Sequence, residues 1–452
     1  MVIPIRPLAA SILSVLALGG CATFSRDGGF DAIADSTQQR LGKQVAWARS
    51  PEERARVEQR VAELLQHSLT ADDAVQIALL NNRDLQASFE ALGISEADLV
   101  QSGRLPNPRF TFRHASAGGL YTIEESVAFN ILALATAPSV HDIEKRRFAQ
   151  TQSAVLIDVL QLADRTRRAY FTALGARETL RYKQQVRDAA QASAELAHRM
   201  LAAGNWNRLD QAREQSFYAA AWQSLERAQL AETIAREKLW QLMGLPGDQS
   251  AFKLAERLPD LPQRADDPPD LETVLQGRID LQMLRAQLDA QARSLGLTKA
   301  TRFVNVLEAG PERILDGPRS DPYENGYEVT LEIPIFDAGT PRLRKAQAVH
   351  AQAVDRFAQA VIDARSEART AYARYRAAYD IASHQRDEVL PVASLVAEQD
   401  LLNYNAARIS VFDLLADARA RIAGVDDYIQ SVRDFWIAKS EFDTALLGNS
   451  SH

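Results

Sequence analysis

Residues 139 to 203 contain no proline and a single glycine, and residues 340 to 403 contain no glycine and only Pro341 and Pro391. Runs of some sixty residues with so few breakers read as helices of roughly 90 Å each, at 1.5 Å per residue. Two such stretches make the fold mainly α before anything else is considered. In the second, Val354, Phe357, Val361, Ala364, Ala368, Ala371, Tyr375 and Ala378 alternate spacings of three and four, a heptad seam whose small residues permit close helix approach. Pro391 marks a kink or a junction. Composition agrees: aromatics are 7%, while alanine is abundant beside Leu, Gln, Arg and Glu.

The long stretches belong to two copies of one unit, with a period near two hundred residues. The first copy opens at Leu69-Thr70 and reaches Asp84-Leu85-Gln86; the second opens at Leu271 and reaches Asp280-Leu281-Gln282. Thr70 followed by Asp73 is an N-cap signature. Pro106-Asn107-Pro108 stops the first opening helix, and alternation begins at Arg109-Phe110-Thr111-Phe112-Arg113, turns at Gly118-Gly119 and returns from Ile123 to Ile131. In the second copy Phe303 to Gly310 leads out, Gly317 to Gly326 turns, and Tyr327 to Phe336 returns with Val329, Leu331, Ile333 and Ile335 on one face. Each long helix then reverses, at Gly204-Asn205-Trp206-Asn207 and at Asn405 to Ser410. The returning helices close on Met243-Gly244 and Leu447-Gly448, glycine serving as C-cap.

The front of the chain has a different purpose. Arg6 precedes an apolar run from Leu8 to Leu18, too short to span a bilayer, and Leu18-Gly19-Gly20 leads into Cys21, the sole cysteine. This resembles a bacterial lipobox, which implies cleavage before Cys21 and a covalent N-terminal diacylglycerol and acyl chain on it. Such a group anchors a protein stably without a transmembrane helix. No later stretch approaches ~20 uninterrupted apolar residues, so anything that crosses a membrane must do so as strands of a closed barrel. Strands of about ten residues with a dyad period suit a barrel wall, and two hairpins cannot close one alone, so subunits must pool them. A net charge of −7 with no strongly basic block argues against nucleic acid.

In combination these pieces resemble the TolC-like outer membrane efflux proteins, over about residues 69 to 448. The residues that carry the resemblance are Leu69-Thr70 with Ala74 and Asn81-Asn82, then Leu105-Pro106-Asn107-Pro108 before a strand. With them go Ile333-Pro334-Ile335-Phe336-Asp337-Ala338-Gly339 leading to Arg344-Lys345-Ala346, and Ala203-Gly204-Asn205 with Leu209-Asp210. The first copy departs from the pattern, having Asn130 to Pro138 where the second has Phe336-Asp337-Ala338-Gly339, and Ala407 stands where the first reversal has Gly204. The resemblance implies a homotrimer in the outer membrane of a Gram-negative bacterium. Four strands per chain would build one transmembrane β-barrel, and the long antiparallel helices a periplasmic α-barrel. It implies partners too: outer-membrane lipid, a periplasmic adaptor and an inner-membrane pump, whose cargo passes outward without chemistry.

The divisions expected are a signal peptide over 1–20, a lipidated segment with an equatorial helix over 21–68, and a first repeat over 69–245. A linker belt over 246–270, a second repeat over 271–448 and a tail over 449–452 complete the chain. The resemblance also places a periplasmic gate at the second reversal. Asp413 fits it best, Asp417 shares its helix face one turn on, and Arg408 would restrain the closed state by pairing with an acid. Helix N-termini welcome aspartate in any case, so Asp413 also reads as a cap, and Asp210, with Gly204 at the first reversal, reads as one more strongly. Seven scattered histidines, no His-Glu-x-x-His and no phosphate loop leave no case for an enzyme or a metal site. A second reading is a lipid-anchored periplasmic coiled-coil protein, structural or adaptor-like and without a pore. It accounts for the lipobox and the reversals but not for amphipathic hairpins at matching places in both copies.

Overall fold

A computed structural model describes residues 23–247, 252–406 and 408–448; Cys21, the expected point of lipid attachment, and Ala407 lie outside them. The chain begins with α1 (Phe30–Leu41), α2 (Pro51–Leu65), β1 (Ser68–Leu69), α3 (Ala71–Asn81) and α4 (Arg83–Ser102). A hairpin of β2 (Arg109–Ala117) and β3 (Leu120–Asn130) leads into α5 (Ile131–Ala202) and α6 (Arg208–Met243). After β4 (Lys253–Leu254) the order repeats as α7 (Leu271–Gly277), α8 (Ile279–Ala300), β5 (Leu307–Gly317), β6 (Glu324–Leu331) and α9 (Thr340–His384). A π-helical turn (Gln385–Val389), α10 (Leu390–Asn405) and α11 (Val411–Leu447) complete it. Among the described residues no helix is long and apolar enough to cross a membrane.

Two compact units emerge. The first takes residues 23–33, Phe89–Val155 and Asp280–Val361, and holds a four-stranded antiparallel sheet in the order β2-β3-β5-β6. The β2–β3 hairpin turns on Gly118 and Gly119 at φ 59° and 87°, the two consecutive left-handed residues that a tight turn between twisted strands demands. β5 lies so close to β3 that a Cβ at Gly310 would collide with the Val127 carbonyl. In the same unit Phe89 and Leu92 are fully buried, and Phe30 meets Phe89 edge-on at 5.0 Å.

Several element ends differ from the sequence reading, and β5 and β6 run into the expected turn, to Gly317 and from Glu324. Helix α5 begins at Ile131, not after Pro138, which it carries inside its 72 residues. Asn130 explains the early start, since its Oδ1 accepts the Ala133 N–H at 2.7 Å and caps the helix. Residues 303–306 precede β5 as a turn closed by Val304 N–H on the Thr301 carbonyl. β6 stops at Leu331, with one further rung from Glu332 N–H to the Val306 carbonyl at 3.2 Å; Pro334 then has no donor to offer.

The second unit takes Ala34–Ser88 and the described residues of 156–279 and 362–448. Its core joins α3, α5, α6, α9 and α11 to β4 and the residues after it, with Leu254, Leu258 and Leu261 buried against the helices. Tyr375 stacks on Phe442 at 5.2 Å and Phe171 on the partly buried Trp436 at 5.4 Å, and burying a side chain such as Phe171 or Phe442 contributes about 1.5–3 kcal/mol. Tyr170 donates its hydroxyl to the Leu69 carbonyl at 2.8 Å, and burial followed by the Asp73 charge pushes its pKa up to about 12. The heptad seam holds where it enters this unit, for Ala364, Ala368 and Tyr375 are buried.

The two halves share one backbone step. Asn82 ends α3 at φ −65°, ψ 126°, and Arg278 ends α7 at φ −70°, ψ 128°. Both side chains reach the closing end of a returning helix: Asn82 Nδ2 donates to the Leu242 carbonyl, and Arg278 Nη1 to the Ala445 carbonyl, each at 2.9 Å. Arg278 is 1% exposed and donates through Nη2 to Glu367 at 2.7 Å.

Candidate functional site

The first feature that bears on function is the sheet, whose faces differ completely. Register pairs Phe110 with Val127, and Ala309 with both Phe129 and Val329, so these side chains share a face with Tyr327 and Leu331. That face is open at Phe110, 67% exposed, and Tyr327, 82%, while Leu315 on it is covered by its neighbours, and Ile335 beyond the strand is 77% exposed. Glu125 and Arg313, directly opposite each other, are its charged members. The other face carries Arg109, Thr111, Arg113, Glu124, Glu308, Glu312, Asp316, Glu324, Glu328 and Thr330. Arg113 pairs with Glu124 at 2.7 Å and Arg109 with Glu308 at 3.0 Å. Among the described residues Glu312, Asp316, Glu324 and Glu328 have no cation within ion-pair distance, so this face is net acidic. Among the described residues neither β2 nor β6 has a second neighbour.

An exposed apolar face with two unpaired edges is unstable in water as a free surface. Apolar side chains alternating with polar ones on ten-residue strands suit a wall between hydrocarbon and an aqueous lumen.

The second feature is the pair of helix reversals. At the first, Gly204 closes α5 at φ 78°, Asn205 N–H donates to the Met200 carbonyl at 2.9 Å, and Asn207 Oδ1 accepts the Asp210 N–H at 2.9 Å. Asp210 is buried and its carboxylate faces Arg213 at 3.4 Å, so it serves the local turn. At the second, Arg408 N–H repeats the bond of Asn205, donating to the Asn403 carbonyl at 2.8 Å. Ser410 and Asp413 form a reciprocal capping box: Asp413 N–H donates to Ser410 Oγ at 3.2 Å, and Asp413 Oδ2 accepts from Ser410 N–H at 3.1 Å and Oγ at 2.8 Å. Asp413 is exposed at the helix start. The Arg408 side chain has no carboxylate within ion-pair distance among the described residues.

Asp417, one turn further and half-buried, faces a residue the sequence reading missed. Asp400 on α10 meets it carboxyl to carboxyl. Hydrogen bonding with Asp417, then burial, then the charges of Asp417 and Asp413, raise the Asp400 pKa above its ordinary value. A raised carboxyl pKa means that the shared proton holds α10 to α11 at low pH, and that this hold is lost as pH rises through the raised value. Asp400 lies five residues before the end of α10 and Asp417 six after the start of α11, so folding the hairpin on paper would have brought them close.

A further acid the sequence left unremarked is Glu214 on α6, 2% exposed. It accepts from Ser193 Oγ on α5 and from Arg419 Nη2 on α11, each at 2.8 Å. The guanidinium of Arg419 also lies 4.3 Å from the centre of the Phe217 ring. No sequence signal joins residues 205 positions apart. Among the described residues no group of three or more His, Cys, Asp or Glu is placed to hold a metal ion.

No family model matches the sequence. A curated relative, the cobalt-zinc-cadmium resistance protein CzcC of Cupriavidus metallidurans, is 23% identical over 377 residues, which is 79% of this chain and 86% of the relative. Among solved structures, that of CusC, described in terms of folding and transmembrane channel formation, matches with a TM-score of 0.70. It is 19% identical and covers 84% of this chain and 92% of its own. The outer-membrane channel OprN gives a TM-score of 0.71 at 18% identity over 84% of this chain and 90% of its own. The outer membrane channel CmeC of Campylobacter jejuni gives 0.70 at 14%, over 84% and 87%. Likeness at these identities establishes the fold.

Proposed function

We propose that this chain, which carries the fold of the TolC-like outer-membrane efflux channels, is the exit duct of a tripartite export system, passive and without catalysis of its own. The observation that carries the reading is the sheet with one apolar and one acidic face and two open edges. Three chains pooling four strands each would pair every edge, turn the apolar faces to lipid and the acidic faces to a lumen. The long helices would continue as a periplasmic cylinder, and a periplasmic adaptor and inner-membrane pump would feed it. Acyl chains on Cys21 would anchor each subunit in the outer membrane. The acidic lumen favours cations, in keeping with the cobalt, zinc and cadmium named for the relative CzcC.

In this reading Asp413 and Asp417, repeated three times, ring the periplasmic end together with Asp400. Arg408 would bridge to an acid of a neighbouring subunit to hold the end narrow, while Gly204 and Asp210 shape the outer reversals. Conductance across planar bilayers tests the proposal. Channels are expected that pass potassium in preference to chloride, and whose preference weakens as acid protonates Asp400. Asp400→Asn is expected to flatten that dependence. Purified protein that inserts and passes no current, with or without Arg408→Ala to loosen the end, would leave a pore-free coiled-coil scaffold as the better account.

A further inference from the structure

At the helix-side ends of β5 and β6, the last turn of α8 and the first turn of α9 are built into one corner. Arg342 Nη2 donates to the Thr301 and Arg302 carbonyls at 3.2 and 3.1 Å, and a Cβ at Gly339 would collide with the Arg302 carbonyl. The corner carries Lys299, Arg302, Arg342, Arg344 and Lys345, none with a carboxylate within ion-pair distance among the described residues. The acids of residues 299–308 and 332–345 are engaged elsewhere. Glu308 pairs with Arg109, Glu332 accepts from Asn305 Nδ2, and Asp337 Oδ1 accepts the Gly339 N–H. Arg302 is half-buried, with its guanidinium 4.2 Å from the centre of the Phe303 ring. Its Nε is shut away from water, and the group makes no hydrogen bond among the described residues, although a guanidinium has five donors to place. The start of α9 adds the partial positive charge of a helix N-terminus. The first half has no such corner. After Pro138 stand Ser139, Val140, His141 and Asp142, where Arg342, Leu343, Arg344 and Lys345 follow Pro341, and Arg146 and Arg147 beyond are paired with Asp142 and Glu144.

The same stretches expose large apolar side chains: Phe303 at 55%, Ile333 at 70%, Ile335 at 77% and Phe336 completely. Ile333 and Ile335 continue the period-two series of Val329 and Leu331 past the last rung of β6, and so prolong the apolar face of the sheet. Unpaired cations set at the end of an apolar face match the chemistry of a phospholipid. Guanidinium forks hydrogen-bond two oxygens of a phosphodiester at once, while exposed aliphatic and aromatic side chains take the acyl chains. A free anion would engage the cations and leave Ile335 and Phe336 in water. A zwitterionic lipid brings an ammonium that the corner repels, whereas an anionic one brings the net charge that the corner lacks.

We propose that the α8–α9 corner of each chain binds one anionic phospholipid, its phosphodiester on Arg302, Arg344 and Lys345 and its acyl chains along Ile335 and Phe336. That the lipid comes from the periplasmic leaflet of the outer membrane rests on the duct reading. Native mass spectrometry of the detergent-purified assembly tests the site, with dioleoylphosphatidylglycerol or dioleoylphosphatidylcholine added as the probe. The phosphatidylglycerol is expected to be retained in preference, saturating at one molecule per subunit. Arg344 and Lys345 are exposed and make no bond among the described residues, so Arg344→Gln with Lys345→Gln leaves the fold intact. That pair of changes should weaken phosphatidylglycerol on the order of twentyfold, about fivefold per cation near an anionic surface, and leave phosphatidylcholine unchanged. Phe336→Ser should weaken both lipids. Arg54→Gln with Arg56→Gln, an equally exposed pair on α2, should change neither. Equal retention of the two lipids, or an equal loss in the α2 pair, overturns the site. Full displacement of the lipid by inorganic phosphate overturns it as well, and leaves an anion site. Conductance of the same preparations separates the two proposals. A protein that conducts but shows no preference for phosphatidylglycerol keeps the duct and discards the site. Selective retention, lost in the Arg344 and Lys345 variant of a protein that passes no current, keeps the site and discards the duct.

Discussion

Val329→Arg is expected to abolish assembly in the outer membrane, while Thr330→Arg, one residue away, is expected to assemble normally. The two positions are neighbours on β6 but project from opposite faces, Val329 beside Ala309 and Thr330 beside Glu308. An arginine turned to hydrocarbon costs up to about 2–4 kcal/mol at the bilayer midplane. A trimer carries that cost three times. Arginine at 330 instead enters the acidic face, where Glu308 and Glu328 stand nearby, and should reduce the preference for cations without harming insertion. The measurement is the yield of heat-resistant assembly in washed outer membranes, followed by the reversal potential of Thr330→Arg. Equal yields of both variants would show that the exposed face does not meet lipid. Failure of Thr330→Arg with survival of Val329→Arg would show that the faces are assigned the wrong way round.

The second large effect is expected at Arg278. Its guanidinium is buried between the Glu367 carboxylate and the Ala445 carbonyl, and so ties the break between α7 and α8 to α9 and to the end of α11. Arg278→Ala removes one partner of a buried pair and leaves the carboxylate and the carbonyl without that guanidinium. Losses of about 3–5 kcal/mol follow from such a change, far more than a surface ion pair is worth. Arg278→Met combined with Glu367→Leu should recover much of the loss, because it removes both charges and fills the volume, although the Ala445 carbonyl then costs about 1–3 kcal/mol unpaired. Guanidinium denaturation followed by tryptophan fluorescence separates the cases. A single variant as stable as the double would mean that water reaches Glu367 and that the pair is not effectively buried.

What could be read from the sequence was local. Thr70 with Asp73, Asn207 with Asp210 and Ser410 with Asp413 announce helix starts because a side-chain cap needs only three residues to form, and all three caps are present. Gly244 and Gly448 end their helices at φ 65° and 88°, as left-handed residues must. Alternation along β2, β3 and β6 was legible for the same reason, since a face is defined by period two alone. The boundary at Asn130 was not, because Ile131 to Ala137 is an apolar run whose period suits strand or helix, and Pro138 looked like a stop. Only the cap on Ala133 decides it, and the same Asn130 could have been read as a cap from the start. Across the tip, Asp400 with Asp417 could have been found from hairpin symmetry. Glu214 with Arg419 and Arg278 with Glu367 could not, since their partners are set by how separate helices align, and no periodicity within either helix records that.

The central claim is that subunits pool their strands into one barrel, and native mass tests it most directly. The protein is extracted from outer membranes in mild detergent, and the protein part of the complex is weighed by light scattering. Three times the mass of the processed chain is the expected result, stable after the acyl groups are removed by cutting behind Cys21. A monomer, or a trimer that falls apart once the lipid is gone, would contradict a shared barrel and leave the four strands of each chain without the partners that the account requires.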